Sequence, residues 1–294
     1  MLEYDFMRTA FAAGSIVAVV AGAVGYFLVL RAQAFAGHAL SHVGFAGATG
    51  AVLLGLNPIW GLVAFTVATG IGMGLLGERL AGRDVAIGIV LAFSLGLGLL
   101  FLHFYTAYAT QITALLFGNV LGVDPDTLLA LVGLAAFCLG ALALIARPLL
   151  FATLQPELAE ARGVSLRLVS TLFLVIVSVA VAEATQIVGV LLIFALMIGP
   201  AATAGTLTSR LGRGVILAVV LALVETWLGL VLAYYTDWPT SFWISALCSL
   251  FYVGGMAFAA LKRRRPAVIV AEREHVHAAT STPAADQAAL RHPS

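Results

Sequence analysis

The stretch "VAEATQIVGVLLIFALMIGPAATAG", Val181 to Gly205, decides how this chain is built. It lies within an apolar run from residue 168 to 206, far longer than one crossing requires, since about 20 helical residues span a ~30 Å hydrocarbon core. Only Glu183, Thr185 and Gln186 interrupt the oil there. We read two spans, 168–186 and 187–206, joined as a hairpin whose turn lies at the membrane surface. Gly199 and Pro200 sit inside the second span. Proline removes an internal hydrogen bond and clashes with the preceding turn, so a kink or break is expected; a hinge and a static packing kink both fit.

The same length test, carried outward, gives spans at 9–30, 36–56, 59–77, 85–103 and 127–147 before this stretch, and 214–235 and 240–261 after it. The expected fold is therefore an all-α polytopic membrane protein with nine transmembrane helices, or eight if the 168–206 run is a single element. Composition agrees: of 294 residues 62% are hydrophobic and 10% charged, and mean hydropathy is +1.08. Residues 1–265 form the transmembrane domain. After "KRRRP" the chain turns rich in Ala, Thr, Pro and charge, so 266–294 reads as a flexible cytoplasmic tail.

Threading nine spans with the C-terminus inside places twelve of the fifteen Lys and Arg residues in the cytoplasm, and the opposite threading inverts that bias. A formal net charge of +1 gives no nucleic-acid footprint. Cys138 and Cys248 both lie in apolar runs and read as buried spectator thiols. Gly47, Ala51 and Gly55, then Gly70 and Gly74, recur at helical spacing and read as packing seams in lipid.

Three features carry chemistry. In "FAGHALSHVGFAGATG", Phe35 to Gly50, His38 and His42 stand four residues apart, on one helix face and about 5–6 Å apart at Cβ, which allows a shared metal ion. A zinc protease would need "HExxH", and Ala39 occupies the place of its catalytic Glu. Glu183 and Glu225 are intramembrane acids, each a candidate third ligand or gate, with bonding to a neighbouring helix as the competing reading. In "RPLLFATLQPELAEARGVSLR", Arg147 to Arg167, a polar connection carries Glu157, Glu160 and Arg162 around a helical pattern ending at Gly163. It reads as a helix at the membrane surface, with a plain loop as the alternative.

Five segments, "VLRAQAFAGHALSHVGFAGATGA", "RDVAIGIVLAFSLGLGLLF", "LLFGNVLGVDPDTL", "LQPELAEARGV" and "VGVLLIFALMIGPAATA", resemble in order and spacing the membrane permease subunits of zinc, manganese and iron ABC importers. The resemblance covers residues 9–262. It implies a multi-pass bacterial plasma-membrane protein, in the inner membrane if the cell is Gram-negative. It also implies a permease homodimer, a cytoplasmic ABC ATPase subunit as partner and an extracytoplasmic metal-binding protein that delivers the ion. This subunit would then do no bond chemistry and hold no permanent cofactor; a divalent metal passes through it. By the same resemblance 151–165 is the coupling segment docked on the ATPase, with Gln155, Glu157, Glu160, Arg162 and Gly163 as its contacts.

Two positions depart from the family pattern. His38 stands where an Asp is usual, and Gln155 replaces the Asp before the Pro-Glu of the coupling segment. Imidazole suits zinc while manganese prefers oxygen donors, so the first departure favours zinc over manganese or iron. The resemblance places ATP hydrolysis on a partner; because the chain has no "GxxxxGK[ST]" of its own and its kinked spans suit either mechanism, a secondary transporter driven by an ion gradient is the rival class.

Overall fold

A computed structural model describes residues 3–76, 82–104, 118 and 120–280, leaving aside the side chains of 125, 126 and 263–280. The described elements are all helical. They are α1 (Asp5–Leu30), α2 (Ala34–Leu53), α3 (Pro58–Leu76), α4 (Arg83–His103), a 3-10 turn (Val120–Gly122), α5 (Pro125–Leu154), α6 (Pro156–Ala161), α7 (Leu166–Val188), α8 (Val190–Leu207), α9 (Leu211–Thr236) and α10 (Thr240–Thr280). Eight of them are long and apolar enough to cross a membrane. The ninth long helix, α2, has 20 residues, but its two histidines and its glycines dilute its hydropathy.

The apolar run 168–206 resolves into two helices joined by Gly189 alone, at φ 84° and ψ 160°, a backbone region essentially reserved for glycine. This turn is buried, and Gly118 packs against its backbone. Beyond it, α8 runs unbroken through Pro200, so the break expected at Gly199–Pro200 does not occur. Neighbouring side chains support that turn of backbone: the Thr203 hydroxyl donates to the Gly199 carbonyl at 2.8 Å and the Cys248 thiol donates to the Ala195 carbonyl at 3.2 Å.

Helices α1 and α7 form the centre, each with 72% of its most apolar stretch buried, against 17% for α4. α1 packs against α5, α7, α8 and α9, while α2 packs against α3, α4, α7 and α8. Small residues allow this closeness. A Cβ on Gly47 would overlap the Gly61 carbonyl of α3, and one on Gly25 would overlap the Met197 carbonyl of α8. Gly70 and Gly74 face Ser178 and Thr171 of α7, and the Ser178 hydroxyl donates to the Thr66 carbonyl at 2.9 Å. Gly55 departs from the seam pattern: a Cβ added there would meet nothing within 4 Å, and it follows the end of α2 at φ 71°.

Two boundaries differ from the sequence expectation. α5 continues past 147 and through Pro148 to Leu154, because the run remains apolar up to the coupling segment. The last helix continues past Lys262 to Thr280, where 266–280 were expected to be flexible; between Pro266 and Pro283 the chain has no helix breaker and several good helix formers. Residues 281–294 of the expected tail lie outside the described residues.

Candidate metal-passage site

α2 is small-sided along most of its length, so it lies deep among its neighbours and carries its two imidazoles with it. The His38 and His42 rings meet edge to face with centroids 4.7 Å apart. Both are half-buried, and both Nδ1 atoms are shielded from solvent with no hydrogen-bond partner among the described residues. That leaves two ring nitrogens free to serve as ligands. Ser41, between them, donates to the His38 carbonyl at 2.7 Å and so serves the backbone. The other face of His38 is covered by Phe194 of α8, with centroids again 4.7 Å apart and the planes at 61°.

The glutamates do not join this pair. Among the described residues no group of three or more His, Cys, Asp or Glu side chains is close enough to hold a metal. Glu183 of α7 is 1% exposed and Glu225 of α9 fully buried; neither Glu183 carboxyl oxygen has a hydrogen-bond partner among the described residues, and Glu225 has only the Cys248 thiol within reach. Each lies beside one of the two cysteines, Glu183 near Cys138 of α5 and Glu225 near Cys248 of α10. The four sequence candidates therefore divide into one histidine pair and two sealed carboxyl groups.

The polar connection is a short helix that stands clear of the bundle. In α6 only Ala159 is buried, whereas Glu157, Leu158 and Glu160 are exposed. Gln155 makes the corner before it at φ −141° and ψ 66°. Gly163, at φ 82°, closes it: the Gly163 N–H donates to the Glu160 carbonyl and the Val164 N–H to the Ala159 carbonyl, each at 2.9 Å. Arg162 lies over the Phe151 ring at 5.7 Å, fixing α6 to the end of α5.

One residue missed in the sequence links this corner to the site. Arg31, between α1 and α2, donates to Thr153 Oγ1 at 2.8 Å and to the Leu149 carbonyl at 3.5 Å, and lies 5.7 Å from the centroid of the Phe173 ring. Burial pushes its guanidinium down to about 10, and Arg83 nearby adds to the effect. Its position between two spans had read only as a topology charge; its partners on α5 and α7 lie far along the chain. Phe194 was missed for the same reason, since an aromatic residue in an apolar span has no local mark.

Comparison with known proteins follows this geometry. The family model described as "ABC 3 transport family" matches residues 3–259. The manganese transport system membrane protein MntC of Halalkalibacterium halodurans is 30% identical over 238 residues, covering 81% of this chain and 82% of that one. A protein of Treponema pallidum named as a probable metal transport system membrane protein is 35% identical over 238 residues, covering 81% and 89%. Among solved structures, PsaBC from Streptococcus pneumoniae in complex with Fab superposes with a TM-score of 0.77 at 28% identity, covering 86% of this chain and 92% of that one. With its bundle of apolar helices and a family match over nearly its whole length, this chain belongs to the ABC 3 transport family of multi-pass bacterial plasma-membrane permeases.

Proposed function

We propose that this chain is the membrane subunit through which an ATP-driven importer passes a divalent transition metal, and that His38 and His42 are its ligands in transit. The observation that supports this reading is the pair of half-buried, edge-to-face imidazoles with unused Nδ1 atoms. Two protein ligands hold an ion without trapping it, as conduction requires. Relatives named for manganese support manganese as the cargo. The donor pair itself, all nitrogen and no carboxylate, favours zinc as the second reading.

In this reading α6 docks on a separate cytoplasmic ATPase through Glu157, Glu160 and Arg162, and a second copy of the chain completes the pathway. Movement of α6 passes along the end of α5 to Arg31, and from there to α2 and its histidines. An extracytoplasmic metal-binding protein supplies the ion. Reconstituted with the ATPase, the chain should import manganese in an ATP-dependent way, and competition by zinc separates the two cargo readings. Uptake driven by an ion gradient without ATP would instead support a secondary transporter.

A further inference from the structure

Glu225 is a costly side chain to leave as it stands. It is fully buried, α8 and α10 pack against its helix, and its carboxyl group meets no ion-pair partner among the described residues, only the Cys248 thiol within hydrogen-bonding reach. A carboxyl group in such a place must carry a proton or hold a cation. Its neighbour is the thiol of Cys248. That thiol reaches across to α8, where it donates to the Ala195 carbonyl at 3.2 Å and occupies the space a Cβ on Gly199 would need. Carboxylate, thiol and carbonyl oxygen thus converge from three helices, α9, α10 and α8, in the turn of α8 that precedes Pro200.

We propose that Glu225, Cys248 and the Ala195 carbonyl form a second cation site, separate from the histidine pair, that takes a thiophilic divalent ion such as zinc or cadmium in preference to manganese. Thiolate is a soft donor and selects such ions over manganese. Binding replaces the thiol proton, and any proton on Glu225, with the metal, so up to two protons leave to water for each ion taken up. An ion held there ties α8, α9 and α10 together across the Gly199–Pro200 turn. It would therefore hold α8, whose Phe194 covers His38 one residue before Ala195, in the conformation seen here. The site does not depend on which ion is the cargo.

The test uses the full chain in lipid nanodiscs, with Cys138→Ala in the background so that Cys248 is the single thiol. Cadmium titration should produce the ultraviolet charge-transfer band of a cadmium thiolate and raise the melting temperature, and equimolar manganese should not reverse either change. Cys248→Ser, which keeps the shape, should abolish the band. Glu225→Gln should weaken cadmium binding by at least about tenfold, the smallest loss typical even of groups supporting a metal ligand. No band, a band that survives Cys248→Ser, an affinity unchanged in Glu225→Gln, or displacement by equimolar manganese would each overturn the site. Binding is read without transport, so a chain that imports nothing leaves this result interpretable.

Discussion

Gly25 of α1 shows how little space separates the central helices. An added Cβ would overlap the backbone carbonyl of Met197 on α8, which cannot swing aside as a flexible side chain would. Ala in a helix interior gains about 0.5–1 kcal/mol over Gly, but overpacking of this kind costs about 1–3 kcal/mol or more, so the clash wins. Gly25→Ala should lower the melting temperature of the purified protein, while Gly96→Ala, with nothing within 4 Å, should not. A Gly25→Ala protein as stable as the parent would show that α1 and α8 do not meet this closely. The histidines allow an equally sharp contrast. If they are ligands, His38→Ala and His42→Ala should cut metal uptake severely at normal protein level, while His38→Asp keeps transport and shifts preference toward manganese. If they only pack, Ala should be tolerated and Asp should place an unpaired carboxylate in a tight seam. Uptake of both metals and protein level, measured together, decide between them; tolerated Ala with a destabilising Asp ends the metal reading.

The helices were legible to the degree that their causes are local. The boundary between α7 and α8 could be found from Glu183, Thr185 and Gln186, and the end of α6 from Gly163, because polar residues and glycine act on their own stretch of backbone. Of the kink or break read at Pro200, the break is absent, because Thr203 and a thiol from α10 support the affected turn, and only the second of these lies far away in sequence. Phe194 over His38 and Cys248 beside Glu225 depend on tertiary packing and left no pattern to read. Arg31 belongs with them and carries a prediction for the coupling route. Charged hydrogen bonds contribute about 1.5–3 kcal/mol when well made, enough to bias a two-state element but not to hold a bundle of this size together. Arg31→Ala should therefore leave the chain inserted and the ATPase active while metal uptake falls, because the link from α5 to α2 is cut. Reversing Glu157 and Arg162 together should act one step earlier and remove ATPase binding itself. Co-purification and ATP turnover separate these outcomes, and full uptake in either variant removes its residue from the route.

For the whole molecule the deciding quantity is whether α2 crosses the membrane, since among the described long helices it alone falls short in apolar content. Hydropathy measures what lipid demands of a helix that faces it, whereas α2 is buried against α3, α4, α7 and α8, with Gly47 in backbone contact with Gly61. A helix enclosed by other helices has its backbone bonds satisfied internally and needs no apolar exterior, so α2 can cross with two histidines on it. Nine crossings are an odd number, and they place the N-terminus opposite the C-terminus. With positive charge retained inside, residues 5 and 237 then lie outside while 157 and 210 lie inside. If α2 stays out of the membrane, eight crossings remain, position 5 moves to the cytoplasm, and Arg31 and Arg83 come to lie on opposite sides, which the nearness of Arg83 to Arg31 argues against. Single cysteines at Asp5, Glu157, Arg210 and Asp237 can be probed with a membrane-impermeant reagent in intact cells, since both native cysteines are buried. Positions 5 and 237 should label and 157 and 210 should stay silent until the membrane is opened. Labelling of 237 without 5 would mean that α2 does not cross, and with it the histidine pair would lose its place in the path.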